Sequence, residues 1–99
     1  MGAARQRAIA KLDSRPFLPR HVRLQFDPVR QDWALLSPER IFWPDEIGLD
    51  ILRRCDGATS VQAMAAALAA EYDAPEEEVE ADLLAFLQEW ADRLLVRLQ

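Results

Sequence analysis

The chain has 99 residues, of which 51% are hydrophobic and 29% are charged. A chain of this length allows one domain, and it buries between about 60% and about 70% of its unfolded surface, enough for a compact core without metals or disulfides. The single cysteine, Cys55, excludes an intrachain disulfide and is typical of a reducing compartment. No stretch approaches the ~20 apolar residues of a membrane-spanning helix, and the first twelve residues lack the apolar run of a signal peptide. We therefore expect a cytoplasmic protein.

The net charge of −5 is unevenly distributed along the chain. Residues 1–43 carry eight Arg or Lys against four acidic residues, whereas residues 44–99 carry four Arg against thirteen acidic residues. Proteins bind nucleic-acid backbones through Lys and Arg on the element that docks. The acidic second part therefore argues against nucleic-acid binding.

The first part of the chain predicts an extension followed by a small sheet. Residues 1–14 are polar and rich in Ala and Arg, and we expect a mobile extension ahead of a single domain at 15–99. A two-residue alternation of apolar and polar side chains then begins, with Val22, Leu24 and Phe26 on one side of the first strand. Turn residues follow this strand and the next one, which predicts further strands at 33–36 and 41–43.

Everything after Pro44 follows the helical period. We expect the first helix to begin at Asp45 and to end at Gly57, with Ile47, Ile51 and Cys55 on its buried face. Thr59 or Ser60 caps the second helix. Its expected buried stripe is Val61, Met64, Ala65, Leu68 and Tyr72.

A third helix completes the predicted fold. Pro75 is expected in its first turn, followed by an acidic stretch, and the helix runs to about Arg93. The predicted class is α+β: a small three-stranded antiparallel sheet followed by three helices, similar to a winged helix-turn-helix with the sheet placed first. Winged helices are commonly DNA-binding regulators, and that function stays the alternative.

Catalysis has little support in the sequence. One His, one Cys and three Gly provide no phosphate loop and no plausible nucleophile–base pair. His21 has no partner at ligand spacing, so neither a metal nor another cofactor is expected. Cys55 is expected to behave as a small buried apolar residue, although exposure near Arg53 and Arg54 would activate its thiol.

Five segments in the same order resemble the PqqD family of pyrroloquinoline quinone (PQQ) biosynthesis. They are RHVRLQFDPVRQDW at 20–33, LLSPERI at 35–41, ILRRCDG at 51–57, ALAAEYDAP at 67–75 and VEADLL at 79–84. The resemblance implies a peptide chaperone without activity of its own. Such a protein binds the precursor peptide PqqA and presents it to PqqE, the radical S-adenosylmethionine (SAM) enzyme that joins a Glu and a Tyr side chain of the peptide. Related domains serve as recognition elements for the leaders of other ribosomally made, modified peptides.

The resemblance also implies where the peptide binds. The leader adds a strand beside the third strand and packs against the third helix, so that backbone hydrogen bonds give affinity and side-chain pockets give register. On this sequence the predicted groove is lined by Ile41, Phe42, Trp43, Leu83, Leu87, Trp90 and Leu94. Phe42 and Trp43 are the expected exposed anchor. Leu83 and Leu87, at helical spacing, fit a structural role better, and Trp90 fits either role.

The partner enzyme needs a surface separate from the groove. The predicted docking residues are Arg23, Arg30, Glu76, Glu77 and Glu80, while simple solubility of the sheet and of the helix start is the alternative reading of these charges. An uncovered third strand would also permit a homodimer through edge pairing or strand exchange.

Overall fold

The computed structural model describes residues 7–99, in which three strands precede three helices, as predicted. The strands are β1 (Arg23–Asp27), β2 (Asp32–Leu36) and β3 (Ile41–Phe42). The helices are α1 (Glu46–Arg53), α2 (Val61–Tyr72) and α3 (Glu76–Asp92). The α+β class predicted from the sequence is confirmed.

The sheet is antiparallel with the order β1-β2-β3, so β2 lies in the middle and β3 lies at one edge. Its register defines two rows of side chains on opposite faces. Leu24, Leu35 and Phe42 lie opposite one another across the three strands, and all three belong to the core or pack against it. Arg23, Leu36 and Ile41 form the neighbouring row, which faces the other way because strand side chains alternate. We call these the helix side and the outer side of the sheet.

Side-chain caps fix the starts of the first two helices. The carboxylate of Asp45 accepts a hydrogen bond from the Gly48 amide at 2.7 Å, and the Ser60 hydroxyl accepts one from the Ala63 amide at 3.1 Å. Thr59 does not cap α2, because its hydroxyl and amide instead donate to Asp56. Ser60 is therefore the cap.

Two helix ends differ from the prediction by a few residues. α1 ends at Arg53, and Gly57 lies beyond it with a φ of 77°, where it donates its amide to the Pro16 carbonyl. Pro75 precedes α3 as its N-cap residue and does not lie in the first turn. In both cases the glycine or proline belongs to the loop that connects two helices. The path of such a loop depends on contacts with residues far away in the sequence, which local sequence patterns do not predict.

The core contains the apolar stripes of all three helices and the middle of the sheet. Leu35, Val61 and Leu87 are completely buried. Two predicted members are wrong: Ile47 is 56% exposed and Tyr72 is 49% exposed. Both stand at the end of their stripe, where the neighbouring elements no longer cover the helix.

Polar contacts hold α1 against α2 where Tyr72 is exposed. Arg54 forms ion pairs with Asp50 and Glu71, and the Tyr72 hydroxyl donates to Asp50 at 2.9 Å. The hydrogen bond from Arg54 is the main cause that holds the pKa of Asp50 below its usual value. Tyr72 thus contributes an exposed hydrogen bond between the helices in place of buried surface.

The packed part of the chain begins before residue 15. Gln88 of α3 accepts a hydrogen bond from the Ala10 amide and donates one to the Ala8 carbonyl. Ser14 is buried, and its carbonyl accepts from the Val61 amide at 2.9 Å. The expected mobile extension at 1–14 is therefore held against α2 and α3 from residue 7 onward, and its first six residues lie outside the described part.

Candidate peptide-binding site

The free edge of β3 carries the backbone groups that a further strand would need. The Ser37 amide donates to the Arg40 carbonyl at 3.0 Å, which makes Ser37 and Arg40 a hydrogen-bonded pair at the turn between β2 and β3. Hydrogen-bonded and non-hydrogen-bonded pairs alternate in an antiparallel ladder. Leu35 and Phe42 are then the next hydrogen-bonded pair, and Ile41 directs its N–H and C=O away from β2. Ile41 thus presents one donor and one acceptor at the edge of the sheet.

The side chains of β3 separate into two directions. Phe42 points to the helix side, where its ring lies edge-on to Trp90 with centroids 5.4 Å apart. Ile41 is 59% exposed on the outer side. Trp43, at 37% exposed, follows the same alternation as Ile41. Of the expected anchor, Phe42 is half-buried against Trp90 and Trp43 is more open, while Ile41 is the most exposed of the three.

The buried positions of Leu83 and Leu87 remove them from the surface of the predicted groove. Leu83 is 1% exposed and Leu87 is completely buried. They support α3 from the core. Trp90 is half-buried and contacts Phe42, Phe86 and Arg93, so it joins β3 to the outer part of α3.

The end of α3 brings different residues to β3 from those predicted. A depression, which we call the β3–α3 groove, lies between them and is lined by Ser37, Glu39, Arg40, Phe42, Arg93 and Leu95. Leu94 is absent from this lining and borders a separate depression with Arg7 and Ala8. The helix ends at Asp92 and Leu94 has a φ of 64°, so counting one helical turn onward from Trp90 gives the wrong direction for its side chain.

The predicted docking residues lie in two separate places. Glu76 and Glu77 are exposed and Glu80 is half-buried, all in the first turns of α3; we call them the acidic start. Arg23 borders a depression that also includes Ile41. Arg30 stacks on Trp43 with its guanidinium 4.4 Å from the ring centroid. The two arginines therefore lie close to β3 and not on a distant surface.

Cys55 and His21 fill no catalytic arrangement in the described residues. Burial, with a smaller contribution from Asp56, raises the pKa of the Cys55 thiol to about 12, so activation by Arg53 and Arg54 does not occur. Within residues 7–99, no three His, Cys, Asp or Glu side chains are grouped so that they could hold a metal ion. No helix in this part of the chain is both long enough and apolar enough to cross a membrane.

Comparisons with known proteins agree with the fold. The family model for "Coenzyme PQQ synthesis protein D (PqqD)" matches residues 32–96. The chain belongs to the PqqD family. It is similar to a curated protein of Rhodopseudomonas palustris named "PqqA binding protein", with 53% identity over 79 residues that cover 80% of this chain and 78% of the relative. A protein of the same name from Bradyrhizobium diazoefficiens is 46% identical over 80 residues, covering 81% of this chain and 78% of the relative.

Two solved PqqD structures have the same fold. The solution structure of the PqqD part of Methylobacterium extorquens PqqCD matches with a TM-score of 0.74 and 38% identity, covering 92% of this chain and 96% of that one. Its description calls it a functional and stand-alone recognition element for ribosomally synthesised and post-translationally modified peptides. The crystal structure of PqqD from Xanthomonas campestris matches with a TM-score of 0.56 and 40% identity, covering 88% and 97% of the two chains.

Proposed function

We propose that this PqqD-family chain is a peptide-binding protein of PQQ biosynthesis that takes up the precursor peptide PqqA as an added strand on β3. The observation that carries the proposal is the outward N–H and C=O of Ile41 beside the β3–α3 groove. Relatives at about half identity are named for PqqA binding, which supports the choice of peptide.

The groove supplies the side-chain part of the interaction. Alternate residues of an added strand would face the helix side, where the half-buried Phe42 offers apolar surface, Leu95 lies buried beneath it and Arg93 lies at the rim. Backbone pairing at Ile41 supplies affinity that does not depend on the peptide sequence, whereas the groove sets the register. We infer that the chain binds and positions the peptide and that the chemistry belongs to another protein.

We further propose that the chain presents the bound peptide to the radical SAM enzyme PqqE. A presenter keeps the reacting part of the peptide free and meets the enzyme with a surface outside the groove. The acidic start fits this role, because it is charged and belongs to the first turns of α3, whereas the groove is lined by residues that follow the end of that helix. Arg30, which covers Trp43, is assigned to the neighbourhood of β3 instead.

The test compares two substitutions at one position. Ile41→Pro removes the outward amide and leaves the hydrogen bonds of β2 to Phe42 in place, while Ile41→Ala shortens the side chain and keeps the amide. We expect Ile41→Pro to weaken binding of the precursor peptide by about 2- to 12-fold relative to Ile41→Ala, the equivalent of one net hydrogen bond. Isothermal titration measures both affinities, and circular dichroism checks that both variants are folded.

Phe26→Pro provides the control at the other edge of the sheet. Leu35 directs its backbone groups to Phe42, so Leu24 and Leu35 are a non-hydrogen-bonded pair; Phe26 and Trp33, two residues along, are another such pair, and the Phe26 amide points away from β2. Peptide addition to β3 predicts normal binding by this variant. Normal binding by Ile41→Pro together with a loss in Phe26→Pro would assign the peptide to β1 and contradict the proposal.

A further inference from the structure

The outer side of the sheet carries a depression that adjoins the free edge of β3. Arg20, Arg23 and Arg40 border it together with Ile41. Its remaining lining is His21, Leu36, Ser37, Pro38 and Glu39. We call this depression the basic concavity. The sequence alone does not predict this group of arginines, because they come from a loop, a strand and a turn.

The charge of the basic concavity is opposite to that of the whole chain. Three arginines border it against one acid, Glu39, whereas the chain as a whole has a net charge of −5. All three arginine side chains are exposed. In residues 7–99 the ion pairs involve Arg7, Arg54 and Arg93, so none of these three guanidinium groups is neutralised by a carboxylate of the described chain.

Hydrogen-bonded turns hold two of the arginines at the end of the sheet. The Val22 amide donates to the Pro19 carbonyl at 2.9 Å across the turn that contains Arg20. The Ser37 hydroxyl donates to the Arg40 carbonyl at 3.0 Å and accepts from the Arg40 amide at 3.2 Å. The backbone that carries these cations is therefore fixed before any ligand arrives, which lowers the entropic cost of binding.

Strand alternation connects the basic concavity to a peptide on β3. Ile41 belongs to the outer row with Leu36 and Arg23, while Phe42 belongs to the helix-side row. A strand added to β3 must place every second side chain on each of these two sides. Side chains on the helix side meet the groove at Phe42, and those on the outer side pass Ile41 and approach the basic concavity.

We propose that the basic concavity receives carboxylate side chains of the peptide that adds to β3. This proposal rests on strand addition as the function and deepens it by naming the chemistry of the ligand: an extended segment with apolar residues on the groove side and Asp or Glu on the outer side. Arg40 immediately precedes Ile41 and has its guanidinium 5.5 Å from the Phe42 ring centroid, so it borders both the basic concavity and the β3–α3 groove at the edge nearest to the added strand. Arg23 and Arg20 act over a longer range through the shared concavity.

A phosphate backbone would also be attracted to three arginines, but the rest of the molecule does not favour it. Residues 44–99 carry thirteen acidic residues against four Arg, and they contain all three helices. A nucleic acid extends well beyond one concavity and would meet this negative surface. A short acidic peptide strand would not.

The experiment titrates two peptides into three forms of the protein. The peptides are the PqqA-type precursor and the same sequence with Asn and Gln in place of its Asp and Glu. The protein forms are the full native chain, a variant with Arg20→Gln, Arg23→Gln and Arg40→Gln, and a control variant that loses the same charge outside the concavity. The control substitutions are Lys11→Gln, Arg15→Gln and Arg97→Gln, all at exposed side chains.

We expect the concavity variant to bind the acidic peptide roughly threefold to a hundredfold more weakly than the control variant does, since each exposed charge pair changes the affinity by a small factor. Its affinity is also expected to depend less on salt between 0.01 and 0.15 M, where the screening length falls from about 30 Å to about 8 Å. The neutral peptide should bind the concavity variant and the control variant equally well.

Each other outcome overturns the proposal in a distinguishable way. Equal losses in the concavity and control variants would show a general effect of net charge, and strand addition would survive if Ile41→Pro still weakened binding. No binding of either peptide to the native chain would overturn both proposals together. A duplex DNA oligonucleotide is titrated into the same three protein forms; if the concavity variant loses affinity for this DNA while its peptide affinity is unchanged, the ligand is a nucleic acid and the proposal is overturned.

Discussion

The contact between Phe42 and Trp90 is the main side-chain connection from the edge strand to α3, and its strength can be measured. The two rings lie edge-on, with centroids 5.4 Å apart and planes at 72°. Such pairs contribute about 0.5–1.5 kcal/mol beyond the burial of their surface. Since β3 has only two residues, we expect this contact to help hold the edge to which we propose that the peptide binds.

A double-mutant cycle isolates this contribution. Phe42→Leu and Trp90→Leu are made singly and together, and the cycle subtracts the separate contact of Trp90 with Phe86, whose centroids are 5.8 Å apart. We expect a coupling of about 0.5–1.5 kcal/mol in the free energy of unfolding. For a domain of this size, that corresponds to a coupling of roughly 2–12 °C in Tm.

A matched pair on the same sheet serves as the control. Phe26 and Trp33 lie edge-on with centroids 5.5 Å apart and planes at 61°, but neither residue pairs with a residue of β3. Leu substitutions there should show a similar coupling in stability and leave affinity for the precursor peptide unchanged. Urea denaturation followed by far-ultraviolet circular dichroism gives the unfolding free energies, and isothermal titration gives the affinities.

Two results would refute this reasoning. A coupling near zero for Phe42 and Trp90 would mean that the rings are neighbours without a specific contribution. Equal losses of peptide affinity from both pairs would mean that general destabilisation weakens binding, so that the contact to α3 has no special role in holding the edge.

The remaining predictions address the buried thiol, the acidic start and the N-terminal contact. With its pKa raised from 9.0 to about 12, Cys55 is a thiolate in about one molecule in ten thousand at pH 8. Because the thiolate is the reactive form, iodoacetamide should alkylate the folded chain about a thousandfold more slowly than the urea-unfolded chain. Mass spectrometry follows the two rates. Stability should also fall as the pH rises from 9 toward 12, because the unfolded thiol ionises first; a flat unfolding curve across this range, relative to Cys55→Ala, would contradict the shift. Reversing all three charges of the acidic start to Lys should weaken binding of PqqE and reduce its salt sensitivity while peptide affinity stays unchanged, and loss of both affinities would indicate one shared surface. Gln88→Ala should speed hydrogen exchange of the Ala10 amide and cost about 0.5–1.5 kcal/mol of stability; unchanged exchange would mean that the N-terminal segment is held by other contacts.

Local patterns in the sequence were sufficient for the element order and for most of the core. Alternation assigned Leu24 to one side of the sheet with Val22 and Phe26. Capping chemistry placed the start of α1 at Asp45 and limited the cap of α2 to Thr59 or Ser60. These features depend on residues within a few positions of one another, where backbone geometry fixes which side chains meet.

The same patterns failed where coverage by distant elements decides the result. Ile47 and Tyr72 continue an apolar stripe, yet no neighbouring element buries them. Residues 7–14 lack any local signal for structure, but α3 and α2 supply the hydrogen-bonding partners that hold them. Periodicity predicts which residues share a face of a helix, but it does not predict how far the neighbouring elements extend over that face.

For the candidate site, the strand pattern predicted an uncovered edge and the family resemblance implied that the third helix lies beside it, while the tertiary structure decided which side chains line it. Leu87 is covered by the core, Leu94 turns away because the helix ends two residues earlier, and Leu95 takes its place in the groove. Arg20 and Arg40 are twenty residues apart in the chain and meet only because two turns reach the same end of the sheet. The positive potential at this place arises only once the fold brings the two arginines together, since electrostatic potential depends on distance in space and not on separation along the sequence.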